Sequence, residues 1–227
     1  MTGMPGQEDL LGRFRAEGKL FVGSVCGNEV FEKDTDRMID VIDGRAGETT
    51  RTHNIEELEI LPPVDRPSKI ICVGLNYRSH IKEMNFNVPK EPIIFTKPSS
   101  AIIGHGDRIV LPSMAGRVDY EGESAIIIGR RAKDSRNGWD NIFGFTGFND
   151  VTARDLQEQD PDWTRAKGFD TFAPIGPLVS QRPPDRVTTR LNGIEVQKDR
   201  TSDRVFDDAA LVEYISRIMT LEPGDVI

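Results

Sequence analysis

The sequence predicts a mainly β protein with some α+β character. Three observations predict it: short strand-like runs outnumber helical ones, no strand–helix–strand rhythm recurs, and glycine, proline and asparagine punctuate the apolar runs. At 227 residues the chain can form one large or two modest domains, and it needs no disulfide or metal staple to hold a core.

Residues 1–60 read as a small α+β or β-meander unit. Phe21-Val-Gly-Ser-Val-Cys and Val30-Phe alternate around Gly-Asn turns, and residues 35–43 and 54–60 are periodic enough to be helical. Leu61-Pro-Pro-Val-Asp-Arg-Pro-Ser follows, an extended connector with three prolines in six residues. It sets an expected boundary between a small N-terminal domain, 1–62, and a larger one, 63–227. Lys69-Ile-Ile-Cys-Val-Gly predicts a buried strand and residues 76–84 a short helix. Ile93-Ile-Phe and Ile109-Val-Leu predict two more strands. Residues 118–129 start by alternating and end in Ala125-Ile-Ile-Ile, so they read as one long strand. A glycine-rich strand over 142–148 leads into helical composition over 150–159. Asn192-Gly193 between apolar residues signals a hairpin. In 207–221 the apolar residues Val212, Ile215, Ile218 and Met219 follow a capping aspartate, the clearest helix in the chain.

Composition excludes several function classes. Acids outnumber Lys and Arg by 37 to 29, a net charge of −8, which disfavours a phosphate-binding, nucleic-acid surface. No apolar run approaches the roughly 18 residues of a membrane span, so no membrane partner is expected. The first residues lack the basic and apolar regions of a secretory leader. Cys26 and Cys72 stand alone, without the spacing of a disulfide framework or thiolate zinc site, and a reducing cytoplasm is the expected compartment. Three histidines exclude a His-rich metal site.

Four segments carry chemistry. Glu121 and Glu123 lie two apart, so on a strand their carboxylates leave one face, which continues inward through Ala125 and Ile127. Buried acids need a cation or hydrogen bonds; a solvated strand end would carry the same pair without either. Asp150, Arg154 and Gln157 stand at i, i+4 and i+7, one helical face offering a carboxylate, a guanidinium and an amide. That mixture suits a cation beside an anionic substrate; an N-capping Asp150 with a surface Arg154 is the plainer reading. Lys167 and Asp170 share an aromatic, glycine-rich loop, where a solvated lysine is the usual case. His80 and Glu83 are helical neighbours: either a carboxylate-oriented general base or a surface ion pair.

Taken together these segments resemble the fumarylacetoacetate hydrolase family. The resemblance runs from Lys69 to Ile227 and rests on ordered motifs: Gly-Leu-Asn-Tyr-x-x-His-x-x-Glu, Phe-x-Lys-Pro-Ser, Asp-Tyr-Glu-x-Glu, Asn-Asp-Val-Thr-Ala-Arg-Asp-Leu-Gln, Arg-Ala-Lys-Gly-Phe-Asp-Thr-Phe-Ala-Pro and Thr-Leu-Glu-Pro-Gly-Asp-Val-Ile. It implies a β-sandwich roll and a divalent metal, Mg2+ or else Mn2+ or Ca2+, with Glu121, Glu123 and Asp150 matching the metal ligands. Arg154, Gln157, Lys167 and Asp170 match substrate-binding positions. His80 and Glu83, with Lys167, match catalytic ones. The family pattern continues beyond Gly-Asp-Val-Ile with a substrate-contacting threonine and further strands, so the C-terminal strands of the roll are expected to be missing here.

The implied substrate is a small 2-oxo acid, and the implied assembly a homodimer. The implied chemistry is a metal-stabilised enolate. C–C hydrolysis of an acylpyruvate or fumarylpyruvate is the first expectation, because the His80–Glu83 pair is intact. Oxaloacetate-type decarboxylation and 2-hydroxyhepta-2,4-diene-1,7-dioate isomerisation are the alternatives. A non-catalytic β-sandwich that binds a metal or a small acid is the alternative from another class.

Overall fold

The computed structural model describes residues 10–64 and 66–227. The first nine residues, and with them the expectation of no secretory leader, lie outside the described residues, as does Asp65 in the connector.

Fifteen strands and five helices are defined among the described residues. The strands are β1 Leu10–Ala16, β2 Lys19–Cys26, β3 Glu29–Lys33, β4 Glu48–Asn54, β5 Glu59–Leu61, β6 Ile70–Gly74, β7 Ile93–Lys97, β8 Ile102–Ile103, β9 Val118–Asp119, β10 Gly122–Ile128, β11 Ile142–Asn149, β12 Thr152–Ala153, β13 Ala173–Ser180, β14 Arg186–Leu191 and β15 Ile194–Arg200. The helices are α1 Met38–Ile42, α2 Arg78–Glu83, α3 Arg154–Gln159, α4 Thr164–Lys167 and α5 Asp208–Ile218. The fold is mainly β, as the turn-punctuated sequence predicts.

A nine-stranded sheet runs β10-β11-β13-β1-β2-β3-β4, with β5 added on β1 and β8 on β13. The N-terminal strands enter it through β1, where Leu11 pairs with Val179 of β13. Leu11, Val22, Met38 and Val64 share one buried cluster with Ile127 and Val179, so the segments on either side of the proline connector pack into a common core.

The run Ala125-Ile-Ile-Ile is apolar throughout because β10 is covered on both faces. Ile126 and Ile128 pack against Val212 and Ile215 of α5 and against Leu221 and Ile227; Ile127, with opposite parity, packs against the N-terminal strands. Burying each such isoleucine contributes roughly 1.5–3 kcal/mol. Helix α5 starts where the sequence places its cap: Asp207 Oδ1 accepts from Ala210 N at 2.8 Å.

The closing Gly-Asp-Val-Ile ties the small sheet β6–β7 to β10. Val226 bridges Ile70 on one side and Ile127 on the other, and Ile126 N donates to Ile227 O at 2.8 Å. Asp225 is fully buried; its carboxylate accepts from Ser68 Oγ at 2.6 Å, Lys69 N at 3.1 Å and Glu222 N at 2.8 Å, and pairs with Lys69 Nζ.

Four local expectations are corrected. Residues 118–129 are two strands, not one: β9 pairs with β12 and β10 with β11, and the chain bends at Tyr120-Glu121 opposite the bend at Asp150-Val151. For the same reason the helix expected from 150 starts only at Arg154, since Thr152 and Ala153 are held in the β9 ladder and Ala153 is the cap. Residues 54–60 form a 3-10 turn and β5 rather than a helix, because Phe14 and Arg13 of β1 take Ile60 and Leu61 as partners. Ile109-Val-Leu is an exposed loop, with Val110 and Leu111 largely in solvent.

Candidate active site

A cavity of about 1060 Å³ lies between β6–β7, α2, the start of β10, α3, α4 and the β14–β15 hairpin. Its wall includes eight of the nine residues the sequence singles out: His80, Glu83, Glu121, Glu123, Asp150, Arg154, Gln157 and Lys167. Asp170 is not among them. It sits on an exposed turn beyond the end of α4, where closeness to Lys167 in sequence does not carry the side chain to the cavity wall.

The paired bends of β9–β10 and β11–β12 deliver the acids. Asp150 N donates to Glu121 O at 2.8 Å, and Glu121 N donates to Asn149 Oδ1 at 3.0 Å, so the two bends face each other. Their carboxylates are then linked through cations in an unbroken chain. Arg154 donates from Nε to Asp119 at 3.0 Å, from Nη1 to Gln157 Oε1 at 2.5 Å and from Nη2 to Glu121 Oε1 at 2.6 Å. Lys167 Nζ donates to Glu121 Oε2 and Asp150 Oδ2, both at 2.7 Å, and lies 5.1 Å from the Phe95 ring centroid. Lys97 Nζ donates to Asp150 Oδ1 at 2.6 Å and to Val151 O at 3.0 Å.

Glu123 is the exception in this chain of pairs. No hydrogen bond or ion pair reaches its carboxylate among the described residues. Burial raises its pKa to about 8, with the charges of Glu121 and Asp150 adding to the rise. Tyr77 opposite is pushed up to about 12, by burial first and then by Glu123, so its phenol keeps its proton and remains a hydrogen-bond donor. Burial opposes the charge on Lys167, but Asp150 and Glu121 outweigh it and hold the ammonium above the ordinary lysine pKa. On Lys97 the balance reverses: burial lowers its pKa despite Asp150.

The donor set fits a hard divalent cation in kind. Three carboxylates offer oxygen ligands of the sort Mg2+, Mn2+ and Ca2+ take, and Glu123 lacks the counter-charge such an ion would provide. Among the described residues no group of three His, Cys, Asp or Glu is set out to hold a metal, because Glu121 and Asp150 direct their oxygens to Arg154, Lys167 and Lys97.

His80 and Glu83 stand apart from this network. They sit on α2 at the cavity mouth, 53% and 79% exposed, with Nδ1 and Oε2 3.8 Å apart, too far for a hydrogen bond.

Lys97 and Tyr77 also belong to the cavity's chemistry; both lie within the Phe-x-Lys-Pro-Ser and Gly-Leu-Asn-Tyr motifs without standing out there as site residues. For Lys97 a signal was present. Strand alternation puts Ile93, Phe95 and Lys97 on one face of β7, and a lysine continuing an apolar face has to find a buried partner. Which acid it finds, Asp150 53 residues away, could not be read from the sequence.

No helix among the described residues is long and apolar enough to cross a membrane. Residues 69–227 match the fumarylacetoacetate (FAA) hydrolase C-terminal family model. An uncharacterized protein of Archaeoglobus fulgidus is 49% identical over 223 residues, covering 96% of this chain and 83% of that protein. The mitochondrial oxaloacetate tautomerase FAHD2A of Homo sapiens is 42% identical over 181 residues, 75% of this chain and 58% of the tautomerase. Among solved structures, 2-hydroxyhepta-2,4-diene-1,7-dioate isomerase from Mycobacterium marinum superposes with a TM-score of 0.84 at 38% identity, covering 96% of this chain and 85% of the isomerase. Maleylpyruvate hydrolase from Sphingobium sp. SYK-6, in complex with manganese(II) and pyruvate, gives 0.77 at 26% identity, with 96% and 86% covered. By the family match and these relatives, which are tautomerase, isomerase and hydrolase enzymes where they are named, the chain belongs to the fumarylacetoacetate hydrolase family.

Proposed function

We propose that this chain is an enzyme acting on small 2-oxo acids, and that it moves a proton at the carbon next to the 2-oxo group, as a keto–enol tautomerase or double-bond isomerase. The observation that carries this reading is the contrast between the two sides of the cavity. The acid-and-cation wall is organised to hold a charged oxo acid. The His80–Glu83 pair is solvent-exposed and open at 3.8 Å. An imidazole that exchanges its proton with water suffices for enolisation. Attack by water on a carbonyl asks for more, namely a base oriented by a hydrogen-bonded carboxylate. The tautomerase and isomerase named among the relatives support the same choice.

A divalent cation held by Glu121, Glu123 and Asp150 would supply Lewis-acid stabilisation of charge on the 2-oxo oxygen. Arg154, Gln157 and Lys167 bind and orient the acid end. Tyr77 offers its phenol proton as a donor from the facing wall. His80 takes and returns the proton at C3. C–C hydrolysis is the second reading, favoured by one observation: Glu83 is on the same helical face as His80, within reach of a hydrogen bond by a side-chain rotation.

The test is to follow oxaloacetate and an acylpyruvate with added Mn2+, measuring enol absorbance, deuterium uptake at C3 and pyruvate release in parallel. Enolisation and exchange are expected to outrun pyruvate release. His80→Ala should cut exchange by roughly a hundredfold, and Glu83→Gln only a few-fold. Pyruvate release from the acylpyruvate as fast as exchange, with both variants equally impaired, would overturn the tautomerase reading in favour of the hydrolase.

A further inference from the structure

The β14–β15 hairpin touches both halves of the cavity. At one end it sits on β10 between two of the carboxylates: Gly122 N donates to Gln197 Oε1 at 2.8 Å, and a Cβ on Gly122 would lie 1.9 Å from Thr189 Oγ1. Only glycine between Glu121 and Glu123 lets the hairpin approach so closely. Where β15 runs out, the chain grips α2. Ser79 Oγ donates to Asp199 Oδ1 at 2.6 Å and Ser79 N donates to Asp203 Oδ2 at 2.9 Å. Next to it, Asn76 exchanges side-chain hydrogen bonds with Phe206 N and O at 2.9 and 3.0 Å, and Tyr77 bridges Arg204.

Helix α2 needs this grip. It has six residues, fewer than a helix requires to stand alone, and it buries only Ile81. Its cap residue, Tyr77, makes no side-chain capping bond. The missing cap comes from Asp203, 124 residues further along, as a carboxylate on a first-turn amide.

We propose that the β14–β15 hairpin, with the turn that follows it, is the spacer that sets His80 and Glu83 at a fixed distance from the carboxylate wall, with Gln197, Asp199 and Asp203 as positioning residues. None of the three needs to touch substrate; they act through α2 and Gly122. The consequence for turnover rests on the role given to His80 above, whereas the clamp itself can be measured without any reaction.

The experiment is amide hydrogen exchange by mass spectrometry on the full chain, with steady-state kinetics alongside. In Asp199→Ala/Asp203→Ala, amides 79–84 are expected to exchange at least about fivefold faster, the loss of one cap, while β10 and β11 keep their protection. Asp203→Asn, which retains an acceptor oxygen, should restore much of that protection. Gly122→Ala, which forces the hairpin off β10 without removing a carboxylate, should loosen the same segment. Turnover should fall in kcat with KM for the acid unchanged. Unaltered protection at 79–84 in the double variant, or a loss spread evenly over the chain, would overturn the proposal. Faster exchange with undiminished turnover would support the clamp and count against His80 as the proton carrier.

Discussion

Asp150 and His80 face the same cavity on very different supports. Asp150 is 5% exposed, at a strand bend, with Lys97 on one carboxylate oxygen and Lys167 on the other. His80 lies on a six-residue helix whose N-terminal turn is held by residues from a distant hairpin and whose C-terminal end leads into the exposed Met84 and Phe86. The wall stands where two paired strands bend together and its charges are tied to one another by short ion pairs. The helix is conditional on contacts at one end. A charge network belongs on the first support, because a misplaced buried charge is costly. A proton carrier belongs on the second, because it has to exchange with water.

The sharpest way to break this comparison is at Glu123. Replacing it by alanine removes a wall carboxylate that no hydrogen bond or ion pair reaches among the described residues. Turnover is expected to fall on the order of a hundred- to a thousandfold, and calorimetric binding of Mn2+ alone to be lost. Full activity of that variant in chelator-treated buffer would mean the wall is scaffold only.

Stability separates the two sides next. Lys97→Met leaves Asp150 Oδ1 buried without its cation, and thermal or denaturant unfolding should report a loss of about 3–5 kcal/mol. Glu83→Gln, on the exposed and open pair, should cost less than about 1 kcal/mol. Equal losses would erase the distinction between a fixed wall and a lightly held helix.

A pH slope sharpens the comparison at Glu123. Glu123 has a folded-state pKa raised to about 8 from an ordinary 4.5, so between these values the folded chain binds more protons than the unfolded one. Stability in chelator should therefore decline as pH rises from about 4.5 to 8, and Glu123→Gln should flatten that decline. Added Mn2+ should oppose it by favouring the ionised carboxylate. A flat profile for the parent protein in chelator would show that Glu123 already has a counter-charge.

Much of the cavity was legible because its chemistry lies in short ordered segments. The spacing of Glu121 and Glu123, the Asp150–Arg154–Gln157 run, Lys167 and His80–Glu83 each pointed to the cavity before any fold was known. Two of these residues reach it by a route other than their spacing suggests. Asp150 is not on the helix with Arg154, and Glu121 precedes β10 rather than sitting in it; both reach the cavity because two strand pairs bend together. Asp170 fell outside because sequence proximity says nothing about direction once a four-residue helix ends.

The sequence by itself determined the mainly β class, the segments that carry chemistry and the caps and turns of individual elements, since these depend on residues near one another: Asp207 before α5, or Asn192-Gly193 with both φ angles positive at the hairpin tip. Tertiary structure alone decided which charges meet. Lys97 joins Asp150, Lys167 spans Glu121 and Asp150, and Asp203 caps a helix 124 residues upstream. Such pairings follow from where the chain brings buried groups together, and local propensity holds no record of that.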